Sequence, residues 1–274
     1  MGDQEVVTAQ IVDGSRQLAV EIKAQRELAV SNPRNEAKVL AACLSELAIA
    51  PEFAEDAFYS IPYNKGKENE TLVEGLSVKA SRAVARRWGN CAVASRIANE
   101  TEDSIETEGV FADFETNVFL RRIVQVSKTY VESSTKIKRP LSGVHLTNAI
   151  QAGLSKAERN AVLSGLPEYF KERVFASAKK IAGSKDKATK TIEERFMVLF
   201  AQFEKLGADK KTVESYIKSR WTAGTDPDEV LGAMRGIFNA IKAKETTVAD
   251  VFGIIKMSGP SGPVGAGDLT GGRL

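Results

Sequence analysis

This sequence predicts an α+β fold: an antiparallel β-meander packed with helices, followed by a small C-terminal helical domain. Three observations predict it. Three segments near 91–98, 104–114 and 117–128 are rich in Val, Ile, Phe and Thr, the composition of strands. Glu100 to Asp103 and Glu115-Thr116 join them through connections short enough for hairpins, which makes an antiparallel meander the economical topology. Apolar residues at helical spacing occupy both flanks of this block.

The elements follow in order. Residues 15–30 and 33–48 carry helical spacing, through Leu18, Ile22 and Leu28 in the first and Val39, Leu40, Leu44 and Leu47 in the second. Asn32-Pro33 suits an N-cap followed by proline at the first helical position, and Pro51 is expected to close this section. An apolar-aromatic segment, Phe58 to Tyr63, leads into a polar turn, Asn64 to Asn69, and a short strand through Leu72 and Val73. A helix then spans about Ser77 to Trp88, stopped by Gly89-Asn90. After the meander, Arg139-Pro140 ends a polar stretch, and helices are expected near 144–154, 156–164 and 167–182. Gly183 to Lys190 reads as a linker. Helices near 191–206, 210–221, 227–243 and 247–256 complete a small bundle, with Ile192, Phe196, Leu199, Phe203 and Leu206 on one stripe. The last segment, 258–274, has six glycines and two prolines, the composition of a disordered tail. The expected division is therefore 1–187, an α+β core with N-terminal helices; 188–257, a helical domain; and 258–274, the tail.

Composition narrows the function. An apolar fraction of 43% and a charged fraction of 27% are those of a soluble globular protein. No apolar run approaches the roughly 20 residues that span a bilayer, and Met1 to Val12 lacks a secretory pattern, so a cytoplasmic location is expected. Cys43 and Cys91 cannot make a disulfide framework and read as buried free thiols. His145 is the only histidine, which argues against a zinc site. No G-x-x-x-x-G-K-[ST] loop is present, so ATP-driven chemistry is unsupported, and no cofactor is expected. Asp113 and Glu115 are two residues apart on one strand face, and outward polar residues explain them as well as two-metal nuclease chemistry does.

Charge is segregated. Residues 1–59 hold 5 Lys/Arg against 10 Asp/Glu, residues 60–187 hold 21 against 15, and residues 188–274 hold 12 against 11. From Gly75 to Asn99 there are five basic residues and no acidic ones. On the helix from Ser77 to Trp88, Lys79, Arg82 and Arg86 fall within about 60° of one another, with Arg87 on the flank. Ser77, Ala80, Ser81, Val84 and Trp88 take the opposite side. Cations spaced about 5–6 Å apart can follow consecutive phosphates of a strand. Arg121, Arg122 and Lys128 on the last strand, Lys136, Lys138 and Arg139 in the following arm, and Lys65 and Lys67 in the turn around Gly66 are further candidates for contact with a nucleic acid or other polyanion. Arg121 and Arg122 point to opposite sheet faces, so one at most shares a given groove. Tyr63, beside the basic turn, is the candidate for base stacking; Tyr59 and Tyr130 are weaker ones. Trp88, Phe111, Phe114 and Phe119 read as core.

The run Ala57-Phe58-Tyr59-Ser60-Ile61-Pro62-Tyr63, then Val73-Glu74-Gly75-Leu76-Ser77-Val78-Lys79 and Arg87-Trp88-Gly89-Asn90, resembles phage proteins related to the RecT/Redβ single-strand annealing family. Phe114-Glu115-Thr116-Asn117, the helical block from His145, and Arg235-Gly236-Ile237-Phe238-Asn239-Ala240-Ile241 extend the resemblance over roughly residues 40–252. It implies an ATP-independent recombinase in the cytoplasm of a bacterial host. Such a protein binds single-stranded DNA and the annealed duplex, and assembles as a homo-oligomeric ring or helical filament. It also implies that the C-terminal helices meet a phage exonuclease or the host single-strand-binding protein. Two other classes remain open from the residues alone: a non-enzymatic assembly protein whose basic face meets an acidic partner or the acid-rich N-terminal region of the next protomer, and a metal-dependent nuclease.

Overall fold

A computed structural model describes residues 20–63, 71–131, 137–222 and 224–253. The turn carrying Lys65 and Lys67, the arm residue Lys136 and the glycine-rich tail lie outside these residues. The fold is α+β. Helix α1 covers residues 20–31, followed by α2 (Glu36–Ile49) and α3 (Pro51–Asp56). Strands β1 (Phe58–Tyr63) and β2 (Thr71–Leu76) pair antiparallel, Phe58 opposite Leu76. Helix α4 (Val78–Trp88) leads into the meander β3 (Cys91–Glu100), β4 (Ser104–Asp113) and β5 (Val118–Ser127), in sheet order β3-β4-β5. A short ribbon, β6 (Thr129–Val131) with β7 (Lys138–Pro140), precedes α5 (Gly143–Gly165) and α6 (Glu168–Ser184). Helices α7 (Ile192–Lys205), α8 (Lys210–Arg220), α9 (Pro227–Lys242) and α10 (Val248–Phe252) end the described chain.

Local chemistry sets several boundaries. The Ser77 side chain accepts the Ala80 N–H at the start of α4, and Gly89, at φ 64°, ends it, the combination that satisfies both sets of unpaired backbone groups. Thr191 and Glu194 form a reciprocal capping box on α7, and Thr247 with Asp250 does the same on α10. Two boundaries differ from expectation. The cap of α2 is Asn35, whose side chain accepts the Lys38 N–H; Pro33 stands before it, and Arg34 between them enters a buried ion pair. Pro51 opens α3 at its first turn, where its missing N–H costs no helical bond.

Helix α5 is also one continuous helix where two are expected. Gly153 marks a close approach: a Cβ there would run into Val126 and Thr107. Gly109 on β4 would meet the Ala157 carbonyl, and Gly165 would meet the Phe111 ring. These glycines let α5 lie directly on β4 and β5, and that packing outweighs the modest helical cost of a mid-helix glycine.

The face of β4 under α5 carries Ile105, Thr107, Phe111 and Asp113, all buried. Its core continues through Leu47 of α2, Phe58 of β1, Trp88 of α4, Val162 of α5 and Phe170 of α6, with Trp88 and Phe170 edge to face at 5.3 Å. A second cluster holds Phe203, Val213, Met234, Ile237 and Val251 from α7 to α10.

Helix α9 joins the two clusters. Gly236 lies against Ser60 and Phe58, the Asn239 amide donates to the carbonyls of Glu55 and Phe58, and Arg235 pairs with Glu55 at 2.6 Å. The segment read as a linker is likewise tied down. Lys185 binds Glu55 at 2.5 Å, Lys187 binds Asp228 at 2.7 Å, and the Gly183 carbonyl accepts from Arg195. Charged pairs with both side chains near a neighbour explain how a Gly-Ser-Lys-Asp stretch is held in place.

Candidate nucleic-acid interface

Helix α4 turns a small and apolar side inward, with Ala80, Ser81, Ala83, Val84, Ala85 and Trp88 buried. Its other side carries Lys79, Arg82, Arg86 and Arg87, all four exposed. Three of these cations are held by a carboxylate from a different element. Lys79 reaches Asp56 of α3 at 2.5 Å. Arg82 makes a two-pronged pair with Glu158 of α5, at 2.6 and 2.8 Å. Arg87 reaches Glu46 of α2 at 2.9 Å. Hydrogen bonding to Glu158 raises the Arg82 pKa above its already high ordinary value. Arg86 makes no ion pair with a described residue.

The other candidates among the described residues do not join this row. Arg122 lies on the α5 side of the sheet and donates to Ser164 at 3.0 Å. Arg121 lies on the opposite side, uncovered among the described residues, as strand alternation requires of its direction. Lys128 binds Glu100 at 2.6 Å and the Thr101 carbonyl, while Lys138 stands 3.6 Å from Asp103; both are at the β3–β4 hairpin end of the sheet. Arg139 sits beside Lys138 on β7. The cations thus form separate groups: the α4 row, the uncovered sheet face, and the hairpin end. Tyr63 is exposed at the end of β1, and Tyr130 is exposed on β6. Tyr59 is half-buried under the Arg159 guanidinium, 4.7 Å from its ring.

The uncovered sheet face was not legible as a feature in its own right. On β5 it presents Phe119, Arg121 and Ile123, and on β3 Ala92, Ala94 and Arg96. Phe119 is 57% exposed and Ile123 59%, so Phe119 departs from the core role expected of it, whereas Trp88 and Phe111 are core. Between the strands Glu108 is buried, accepting from Arg96 at 2.7 Å with Arg121 at 3.7 Å. The Arg121 guanidinium also lies 5.1 Å from the Phe119 ring. The alternation Phe119, Arg121, Ile123 was the available signal; a strand reads the same whether its outer face is covered or bare.

Asp113 and Glu115 are taken up by Arg34. Its guanidinium binds Asp113 through two nitrogens, at 2.5 and 2.6 Å, and Glu115 through Nε at 2.8 Å. The Arg34 backbone N–H also donates to Glu115. Trp88 Nε1 donates to Asp113 at 3.1 Å, and the Asn90 amide donates to Glu115 at 2.6 Å. Burial alone would lift the Glu115 carboxyl, yet the hydrogen bonds from Asn90 and Arg34 bring it below its ordinary pKa. Among the described residues, no group of three or more His, Cys, Asp or Glu side chains is placed to hold a metal ion. Nor is any described helix long and apolar enough to cross a membrane. Both cysteines are free, Cys43 buried and Cys91 half-buried.

Comparison with known proteins returned no matching family model, no matching curated protein and no matching solved structure.

Proposed function

We propose that the chain binds single-stranded DNA and anneals complementary strands without ATP, with the outer face of α4 as the phosphate contact. The observation that carries this reading is the row Lys79, Arg82, Arg86 and Arg87 on one helix that contains no acid. Strands repel one another through their phosphates, and a protein that neutralises one backbone while leaving base edges free lowers that barrier. Base pairing then supplies the sequence specificity. Asp56, Glu158 and Glu46 hold Lys79, Arg82 and Arg87 in the free protein, so strand binding at these three is an exchange of partners in which phosphates replace carboxylates. Single-strand annealing proteins of the RecT/Redβ kind, which the sequence resembles, give the reading its substrate.

The test mixes complementary oligonucleotides with and without protein, in the absence of nucleotide, and follows duplex formation by fluorescence quenching. An accelerated rate supports the proposal. Replacing Lys79, Arg82 and Arg86 together by alanine should weaken strand binding and lower its salt slope by about 2, since each neutralised single-strand phosphate contributes about 0.7. A folded triple variant that binds and anneals like the parent removes α4 from the site.

A further inference from the structure

The ion pairs that tie down residues 185–190 also shape a recess. It has a volume of about 250 Å³ and lies between the C-terminal end of α6, the first half of α7, the middle of α9 and the end of α3. Among the described residues, four cations line it, Lys185, Lys190, Arg195 and Arg235, against two acids, Glu55 and Asp186. Both acids are already paired. Glu55 divides one charge between Lys185 at 2.5 Å and Arg235 at 2.6 Å, and Asp186 holds Lys190 at 2.6 Å. Two acids outside the recess share its cations. Asp228 binds Arg195 at 2.8 Å while also holding Lys187, and Glu52, mostly exposed, stands 3.7 Å from Lys185. A guanidinium carries five N–H donors and an ammonium three, so these pairs use only part of what the four cations offer.

The same wall carries Gln202 of α7, whose side-chain oxygen is buried without a hydrogen-bond partner among the described residues. A buried polar atom left unpaired carries a desolvation cost that a ligand can remove. The terminal torsion of a glutamine is soft, so either end of this amide can turn toward an occupant, the nitrogen to an oxyanion or the oxygen to a hydroxyl.

We propose that this recess binds a small phosphate-bearing molecule, either free phosphate or a phosphate ester. The surplus of cations among the lining residues selects an anion over a metal ion. A phosphate presents several acceptor oxygens at once, which suits donors arriving from different elements. Depth selects a small molecule over a strand. The side chains of Arg195, Arg235 and Lys185 are 7%, 15% and 26% exposed, whereas those of Lys79, Arg82 and Arg87 on α4 are all at least 51% exposed. The volume also falls below the roughly 300–1,000 Å³ of pockets for drug-sized ligands. An occupant would tie α3 and α6 to α7 and α9, where the two core clusters meet. The inference does not depend on the nucleic-acid reading, because none of its residues is on α4.

Isothermal titration calorimetry on the full-length chain tests it, in chloride buffer at constant ionic strength, with inorganic phosphate in one arm and glycerol phosphate in the other. Saturable binding of one molecule per chain is expected. Tighter binding of the ester identifies an ester as the occupant and gives the Gln202 amide a hydroxyl partner; tighter binding of inorganic phosphate identifies the free ion. Lys190→Gln and Gln202→Leu leave the pairs of Glu55 intact, and each, with an unchanged circular dichroism spectrum, should weaken binding at least about fivefold while strand binding stays as in the parent. Replacing Lys79, Arg82 and Arg86 by alanine should leave the phosphate affinity unchanged. The proposal is overturned if neither arm shows saturable binding up to about 10 mM, roughly ten times a millimolar Kd. Parental affinity in both Lys190→Gln and Gln202→Leu overturns it too, as does loss of phosphate binding in the α4 variant, which would put the phosphate on that helix.

Discussion

Replacing Arg34 by alanine isolates a buried charge cluster whose energetics the structure defines closely. Arg34 is 6% exposed in its side chain, Asp113 4% and Glu115 14%, and the guanidinium stands 4.4 Å from the Trp88 ring. Removing one partner of a buried pair costs about 3–5 kcal/mol. Here Asp113 would keep the Trp88 N–H and the Glu115 backbone N–H, and Glu115 would keep Asn90. The expected loss is therefore at the lower end, about 3 kcal/mol, or roughly 6–12 °C in Tm for a chain of this size. The pH dependence supplies an independent sign. In the parent the Glu115 carboxyl is depressed, so its stabilising contribution is present above the ordinary carboxylate pKa and is lost as pH falls through the depressed value. In Arg34→Ala the guanidinium is gone and burial raises that carboxyl, so protonation relieves the cost and the deficit against the parent narrows as pH falls. Urea unfolding followed by circular dichroism at pH 7.5 and pH 4.5 measures both effects. A loss below about 1 kcal/mol, or a deficit that widens in acid, would refute this account.

Other outcomes follow from single contacts. Glu158→Gln frees Arg82 from its two-pronged partner and should tighten strand binding by up to about fivefold, at a stability cost of about 1 kcal/mol or less because Arg82 is exposed; weaker binding in an anisotropy titration would contradict the exchange picture. Gly109→Ala places a methyl group against the Ala157 carbonyl and should cost about 3 kcal/mol as α5 is pushed off β4, measured by thermal unfolding; a neutral substitution would mean that the helix yields freely. Burial pushes both thiols up to about 11, so Cys43 and Cys91 should react with a maleimide at pH 8 at least ~10 times more slowly in the native protein than in urea. Equal rates would place them in solvent.

The meander and α4 were legible because local and global signals agree there. Strand composition, hairpin-length connections, Ser77 at one end of α4 and Gly89 at the other all specify the same outcome. The inward side of α4 was legible too, since one amphipathic helix fixes its own faces. The break expected within α5 fails for a long-range reason: Gly153 packs against Val126 of β5 and Thr107 of β4, both well over twenty residues earlier, which no local window contains. Arg34 gave no signal, because a single arginine in a loop becomes meaningful only when Asp113 and Glu115 are folded onto it. The carboxylates that hold Lys79, Arg82 and Arg87 come from three other elements, so the basic helix could be read from its own residues while its neutralisation could not.

That neutralisation makes α4 behave as an ion exchanger already loaded with tethered counterions. A ligand bearing one phosphate displaces one carboxylate, gains little beyond what it breaks, and surrenders its own freedom of movement. A polymer displaces several in succession while surrendering that freedom once. If α4 binds a strand as proposed, length, more than charge density at any single point, is what the helix would discriminate, and mononucleotides should compete poorly even when their total phosphate concentration equals that of the strand.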